Sequence, residues 1–480
     1  MQRSAERGRL TVHAGSRDLA ILTGPRPVAS PAAFLIQPAR DTEELTQYRA
    51  LRHQAFVVRQ ALFKGSDRDE IDDDPRTVVL CATAPDGTVL GGVRLAPATA
   101  DDIGWWTGSR LVVAPTEQAR GVGPALVRAA SAYAETSGVL RFDAAVQQRY
   151  LSMFTSLGWQ YTGDVDVAGV AHAAMRWPIN KIERLVTATK AMLAEVLAPL
   201  SSQSMGLGPS GFRGDDGTPV PGSDLIAACD AIIPSMVERD PEWAGWCAVL
   251  VNLNDLSAMG ATPVGLLDAV AAPTQSQLTR IIRGMARAAQ AWGVPVLGGH
   301  TQAGVPSSLS VTALGRTARP IPAGGGRVGH DLRLTADLGG NWRPGYAGQQ
   351  WDSTSTRRSE DLARMGTYVQ RAAPAAAKDV SMAGLVGTTG MLAEACGTGA
   401  LLDIASIPRP SGVAMGEWVT AFPGFAMISA DAPGREVPDA GPATGAVCGQ
   451  LIEGRGVSLR WPDGTITQAV HGTVTGLGKA

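Results

Sequence analysis

The chain is short of lysine, of aromatic residues and of cysteine pairs. Its only lysines are at positions 64, 181, 190, 378 and 479, and the only Gly-Lys pair is Gly478-Lys479. A phosphate loop of the Gly-x-x-x-x-Gly-Lys kind needs that pair between a strand and a helix. Such a loop is excluded, and any nucleotide must be held another way. Cysteines at 81, 229, 247, 396 and 448 have no C-x-x-C or Cys/His spacing, which argues against a thiolate metal site. An odd, scattered set fits free thiols in a reducing compartment, hence a cytoplasmic location. Cys229 and Cys396 read as buried small hydrophobes. No apolar run reaches the ~18 residues of a membrane span. The net charge of −2 and pI near 6.3 give no basic excess for nucleic acid or an anionic membrane. The expected partners are small-molecule substrates. Aromatics make up 5% of the chain and glycines number 57, which favours small-residue α/β packing with many tight turns. At 480 residues, about three domains are expected.

What is present centres on Val251–Pro263, VNLNDLSAMGATP. From Trp246, apolar residues recur at Val249, Leu250, Leu253 and Leu256, the spacing of one buried helix face. Gly260 can take the left-handed conformation that ends a helix, and Pro263 blocks continuation. Asn252 and Asp255 fall one turn apart on this helix, which is odd beside an apolar face unless the pair meets a polar partner. Upstream lie Gly214-Asp215-Asp216-Gly217 and a lone Asp230. Downstream, Val296-Leu-Gly-Gly-His-Thr301 reads as a buried strand running into a glycine turn. Taken singly, Asp216-Gly217 fits a turn, Asp230 a helix cap and Asp255 an exposed position.

In order and spacing, GDD, the isolated Asp, N-L-x-D-L-x-A-M-G-A-x-P and GGHT resemble the N-terminal half of the aminoimidazole ribonucleotide (AIR) synthase superfamily. That superfamily includes thiamine-monophosphate kinase, selenophosphate synthase and the hydrogenase maturation dehydratase. The resemblance implies that Asp215, Asp216, Asp230 and Asp255 converge on Mg²⁺ bridging ATP phosphates. It implies nucleotide contacts from Gly299 and Thr301. His300 is left as a catalytic base, a phosphate contact or a packed histidine. Lys378-Asp379-Val-Ser-Met-Ala-Gly384-Leu385 resembles the family's D-x-S-x-x-G-L segment, so Lys378, Asp379 and Gly384 are expected at the nucleotide phosphates. Met382 stands where many relatives carry Asp or Asn. Selenide chemistry is disfavoured, because Met205–Arg213 holds no cysteine. The resemblance also implies a homodimer formed by paired first-half sheets.

Ahead of this module the chain reads differently. Residues 1–33 hold five arginines and a Pro-rich stretch, and are expected to form a disordered tail. Glu43–Gln60 reads as a helix. The acidic run Asp67–Asp74 reads as a solvated loop rather than a metal site. Thr77–Ala82 and Val89–Leu95 read as strands about a Pro-Asp-Gly turn, and Leu111–Ala114 as a short strand. Gln118-Ala-Arg-Gly-Val-Gly123 then precedes a helix with Pro124 in its first turn. Free N–H groups and the helix dipole there suit a pyrophosphate. With Arg141–Val146 and Leu157-Gly-Trp159 behind it, this stretch resembles the GCN5-related N-acetyltransferase (GNAT) fold over residues 34–178. Acetyl-CoA is then implied at Leu111, Val112, Val113, Gln118, Ala119, Arg120, Gly121, Val122 and Gly123. Where many relatives carry a general-acid tyrosine, this chain has Phe154. Tyr150, one turn earlier, is the substitute candidate, or an ordinary packed tyrosine.

The expected fold class is therefore α/β and α+β. A GNAT-like domain (34–178) and a helical linker (179–204, with Lys181–Leu200 as one helix) precede AIR-synthase-like halves at 205–320 and 329–480. The expected function is an acetyl-CoA-dependent N-acyltransferase fused to an ATP- and Mg²⁺-dependent enzyme acting on a small nitrogenous metabolite. Fusions of this kind resemble a family linked to nitrilase-containing gene clusters. The alternatives are a non-catalytic acyl-CoA and nucleotide sensor, or a C-terminal enzyme whose GNAT part only binds or dimerises.

Overall fold

The computed structural model describes residues 34–346, 349–422 and 424–480; the expected N-terminal tail lies outside them. Two compact units are present. One comprises residues up to 96, 106–133 and 143–177; the other comprises 97–105, 134–142 and 178–480.

The first unit begins with strand β1 (Leu35–Pro38) and helix α1 (Thr42–Arg52). The Asp41 carboxylate caps α1 by accepting from the N–H groups of Glu43 and Glu44. The expected helix continues beyond Arg52, but His53–Arg59 runs as wider π-helical turns. Strands β2 (Val78–Thr83), β3 (Val89–Pro97), β4 (Trp105–Val113), β5 (Arg141–Gln147), β6 (Gln160–Val167) and β7 (Val170–Trp177) follow. The sheet order is β1-β2-β3-β4-β5-β7-β6. Strand β4 is twice as long as expected and carries Arg110 at φ +54°. Helix α2 (Val122–Thr136) follows the Gln118–Gly123 loop.

The acidic run is not a solvated loop. Arg52 donates to Asp67 at 2.6 Å and also pairs with Asp72. Arg94 pairs with Asp69 and, at 2.9 Å, with Asp72. Arg110 reaches Asp69 at 2.9 Å. Arg52 and Arg94 are 0% and 1% exposed. Three guanidinium groups and three carboxylates thus close on one another inside the unit.

The second unit opens with three short helical pieces, Lys181–Thr189, Leu193–Val196 and Ala198–Ser201, where one helix was expected. Val196 and Leu200 on them, and Met192 just before the second, are exposed. A five-stranded sheet follows: β8 (Thr218–Pro219), β9 (Leu225–Ala231), β10 (Thr262–Ala272), β11 (Val296–Ala303) and β12 (Ser308–Arg316), in the order β11-β10-β12-β9-β8. Helix α3 (Pro241–Ala258) and helix α4 (Gln275–Trp292) pack together with it. Thr274 caps α4 and Gly293, at φ +66°, ends it. Helix α3 is buried around nearly its whole girth, Asn252 and Asp255 included. It is a central helix rather than an amphipathic one. Strand β11, expected to be buried, is exposed along its length; it pairs only with β10, at the sheet edge.

Strands β13 (Asp331–Ala336), β14 (Asn341–Trp342), β15 (Trp351–Asp352), β16 (Ala376–Asp379), β17 (Gly399–Asp403), β18 (Ala426–Asp431), β19 (Thr444–Ile452), β20 (Val457–Arg460) and β21 (Ile466–Val470) complete the chain. All but the small β14–β15 pair form one sheet, β16-β18-β13-β19-β17-β20-β21. Period-two alternation sorts its faces. Leu332, Leu334 and Ile428 join helix α5 (Gly384–Cys396) in one core. Met427 and Ala377 join the helices Ser359–Gly366 and Tyr368–Ala372 in another.

Candidate active site

Four segments of the second unit bring carboxylates together. The loop before β8 supplies Asp215 and Asp216, β9 supplies Asp230, α3 supplies Asp255, and β16 supplies Lys378 and Asp379. Oxygen atoms of Asp216, Asp255 and Asp379 lie within 4.8 Å of one another. Lys378 is 2% exposed; its Nζ lies 3.1 Å from Asp215 Oδ1 and 2.5 Å from Asp216 Oδ1. The Asp379 N–H donates to Asp216 Oδ2 at 2.9 Å, and the Ala323 N–H to Asp215 Oδ2 at 2.7 Å. The 320–329 stretch is therefore part of the site's frame. Asn252 is the polar link that the helix required: its Nδ2 donates to Ala248 O at 2.8 Å, and its Oδ1 accepts from the Asp230 N–H at 3.2 Å.

The charges do not balance. Burial works against the Lys378 ammonium, but Asp216 and Asp215 outweigh it and hold its pKa well up. Burial first, then Asp379, Asp230 and Asp216, push the Asp255 carboxyl well above the usual range. Asp379 is pushed up by burial and by Asp216 and Asp230. Asp230 is raised by burial and Asp216, with Lys190 acting against them. Asp230 remains exposed at the mouth although its surroundings are dense. Crowded carboxylates without enough counter-charge are poised for a hard cation bound through oxygen.

The predicted metal set is thus regrouped. Asp216 and Asp255 stand together with Asp379, which the sequence pattern assigned to phosphate. Asp215 turns to Lys378 and Ala323, and Asp230 flanks the group. Lys378 faces carboxylates rather than solvent. Lys190, which carried no motif, is the second cation acting on this group. Its only signal was the scarcity of lysine. Gly384, at φ +67°, opens α5, and a side chain there would meet Val419 O at 2.6 Å. Gly299, His300 and Thr301 lie on exposed β11, separated from β9 by β10 and β12. A Cβ on Gly299 would lie 2.2 Å from Asp268 Oδ1, which accounts for the glycine by close approach alone.

Helix α5 also anchors the end of the sheet. Buried Glu394 accepts from the N–H groups of Val474 and Thr475, both at 2.8 Å, and from Thr475 Oγ1 and the Gly478 N–H at 3.0 Å. Leu477 then packs beneath Gly214, where a Cβ would lie 2.6 Å from its Cδ1. The loop bearing Asp215 and Asp216 rests on that leucine.

In the first unit, Leu111, Val112 and Val113 end β4, with Val112 buried. Gln118 and Arg120 are exposed, while Ala119 and Val122 are buried. Gly121 sits at φ +81° with no atom near where a Cβ would be, and Gly123 is in the first turn of α2. That turn's N–H groups have no intrahelical acceptor. Phe154 is buried against Trp159, ring centroids 5.4 Å apart. Tyr150 is not a packed tyrosine: it is 45% exposed, with the Arg149 guanidinium 4.9 Å from its ring centroid. Among the cysteines, Cys396 is buried as expected, whereas Cys229 is exposed beside Ser310 and Thr312. No described helix is long and apolar enough to cross a membrane.

Comparison with known proteins matches residues 214–317 to the family model of the AIR synthase related protein, N-terminal domain, and residues 42–159 to the acetyltransferase (GNAT) family. The uncharacterized protein sll0787 of Synechocystis sp. is 35% identical over 223 residues, 45% of this chain and 69% of that protein. The uncharacterized protein MJ0640 of Methanocaldococcus jannaschii is 30% identical over 223 residues, 44% of this chain and 68% of its own length. A thiamine-monophosphate kinase of Synechococcus elongatus is 36% identical over 117 residues, 22% of this chain and 36% of that enzyme. Among solved structures, "AaThiL complexed with AMPPCP and TMP" is 21% identical with a TM-score of 0.46, over 57% of this chain and 93% of that one.

Proposed function

Since the chain belongs to the AIR synthase-related family and carries a GNAT-family domain ahead of that module, we propose a bifunctional enzyme. One part is an acetyl-CoA-dependent N-acyltransferase; the other uses ATP and Mg²⁺ to phosphorylate or activate a small nitrogenous metabolite in the cytoplasm. The observation that carries the second activity is the buried Asp216–Asp255–Asp379 group, with too little positive charge around it. An all-carboxylate donor set suits Mg²⁺, which prefers oxygen and keeps part of its water shell. Bound there, Mg²⁺ would neutralise and orient phosphate oxygens. Asp216, Asp255 and Asp379 would hold it, Asp215 and Lys378 would fix Asp216, and Lys190 would offer a cation at the mouth. With no protein nucleophile in the group, the protein's share is positioning and electrostatics.

For the first activity, the open Gly121 and the start of α2 support a pyrophosphate seat. Burial of Phe154 in the general-acid position favours a second reading, in which acyl-CoA is bound without transfer. Exposed Leu267, Val296 and Leu297 on the five-stranded sheet support pairing of two chains.

The test is calorimetry on the full chain. Asp255→Asn should weaken Mg-ATP by about tenfold to a hundredfold, on the order of 1–3 kcal/mol, without a lower melting temperature. Normal Mg-ATP binding with a much lower melting temperature would make Asp255 a structural residue. In a second titration, Gly121→Val should abolish acetyl-CoA binding; unchanged affinity would remove the pyrophosphate assignment.

A further inference from the structure

Away from the carboxylate group, on the sheet face opposite α5, a shallow open groove lies beside Tyr368. Register defines its floor. Arg333 on β13 is directly opposite Ser429 on β18 and Val447 on β19. Two residues along the same face, Asp331 is opposite Asp431.

The polar groups here are unevenly satisfied. Arg435 is fixed by Asp431 and by the carbonyls of Ala372 and Ala373. Asp431 also accepts from the Ala432 N–H. The Tyr368 hydroxyl accepts from Thr335 Oγ1 at 3.2 Å and keeps its own proton to donate. The Arg333 guanidinium has neither a hydrogen bond nor a carboxylate partner among the described residues. Ser429 is 7% exposed, and its hydroxyl has no partner among the described residues either. Among the described residues the Asp331 carboxylate accepts only from the Gly434 N–H, at 3.3 Å. A partly buried guanidinium, a hydroxyl open to solvent and a half-used carboxylate therefore line one groove. All three are free to exchange water for a ligand that matches them.

The complement is defined by charge and spacing. A phosphate dianion at Arg333 would face Asp331 and Asp431, and a simple amine at Asp331 would face Arg333. Along a strand, residues i and i+2 are about 6.7 Å apart, so Arg333 and Asp331 can bracket a molecule whose two charged groups are carried on one carbon. We propose that this groove is a binding site for a small α-amino acid. The ligand's carboxylate lies on Arg333 and Ser429, and its ammonium on Asp331. The proposal is independent of the ATP and acetyl-CoA readings.

Saturation-transfer NMR on the full chain with L-alanine tests it. The alanine methyl should receive saturation from the wild-type protein. Propionate and isopropylamine, each lacking one charge, should receive at least fivefold less. Arg333→Gln and Asp331→Asn should each abolish transfer. Because the Arg333 guanidinium has no partner among the described residues, Arg333→Gln should melt within about 2 °C of wild type. No transfer to L-alanine, equal transfer to propionate, or transfer undiminished in both variants would overturn the proposal.

Discussion

Each unit buries a crowd of aspartates, and the two crowds are resolved differently. In the first unit, Asp67, Asp69 and Asp72 meet Arg52, Arg94 and Arg110, and the charges cancel. Against the cost of burial, their arginine partners hold the carboxyls of Asp69 and Asp72 below the usual range. In the second unit, Asp215, Asp216, Asp230, Asp255 and Asp379 have Lys378 and Lys190 to set against them, and Asp255 and Asp379 are driven up. The first arrangement is finished by the fold; the second is left with the excess negative charge on which the proposed Mg²⁺ site rests. Neither the number of acids nor their burial separates a structural network from a binding site. The separation comes from whether the partners are supplied by the chain.

The contrast breaks most severely if the first network loses a cation. Arg94→Ala leaves buried Asp72 and half-buried Asp69 underpaired, which should cost about 3–5 kcal/mol. Hydrogen exchange of β2, β3 and β4 should accelerate accordingly; unchanged exchange would mean that the network contributes nothing net. The reverse holds in the second unit. Asp379→Asn removes a charge from an uncompensated group, so without divalent cations the protein should melt higher, its stability rising by on the order of 1–3 kcal/mol. Its stabilisation by Mg²⁺ should shrink at the same time. A lower melting temperature without metal would show that the group is already balanced.

The smallest effect concerns acid. Asp69 and Asp72 have folded pKa values below the unfolded value of about 3.9. Their contribution is fully present above that value and is lost as pH falls through the depressed folded values. Exchange in the first unit should therefore report constant stability from pH 7 to pH 5, with loss beginning below about pH 4. Loss between pH 7 and pH 5 would contradict the pairing.

Local patterns in the sequence carried much of this. The spacing from Trp246 to Leu256 marks α3, Gly293 ends α4, and the glycine loop before Pro124 leads into α2. What stayed hidden depends on partners distant in the chain. The run Asp67–Asp74 reads as solvated because Arg52, Arg94 and Arg110 come from three other elements. Asp255 taken singly fits an exposed position, and only its place in the motif points it to the other carboxylates, because hydropathy takes no account of a helix enclosed on all sides. Asp379 reads as a phosphate residue until β16 is seen beside α3. The run Val296-Leu-Gly-Gly reads as buried by composition, yet it is an edge strand. Lys181–Leu200 has helical periodicity, but Lys190 at φ −130° and the following turns break it into pieces.

The support of Gly214 by Leu477 has a consequence for synthesis. The acidic loop and the segment held by Glu394 are about 260 residues apart in the chain. A ribosome adding roughly 5–20 residues per second needs on the order of 15–50 seconds to travel from one to the other. During that interval the first unit can fold with all its charges cancelled. The loop carrying Asp215 and Asp216 meanwhile waits, without its leucine support, for the segment after β21 to arrive. The support of Asp215 and Asp216 is therefore completed only after residue 477 has been made.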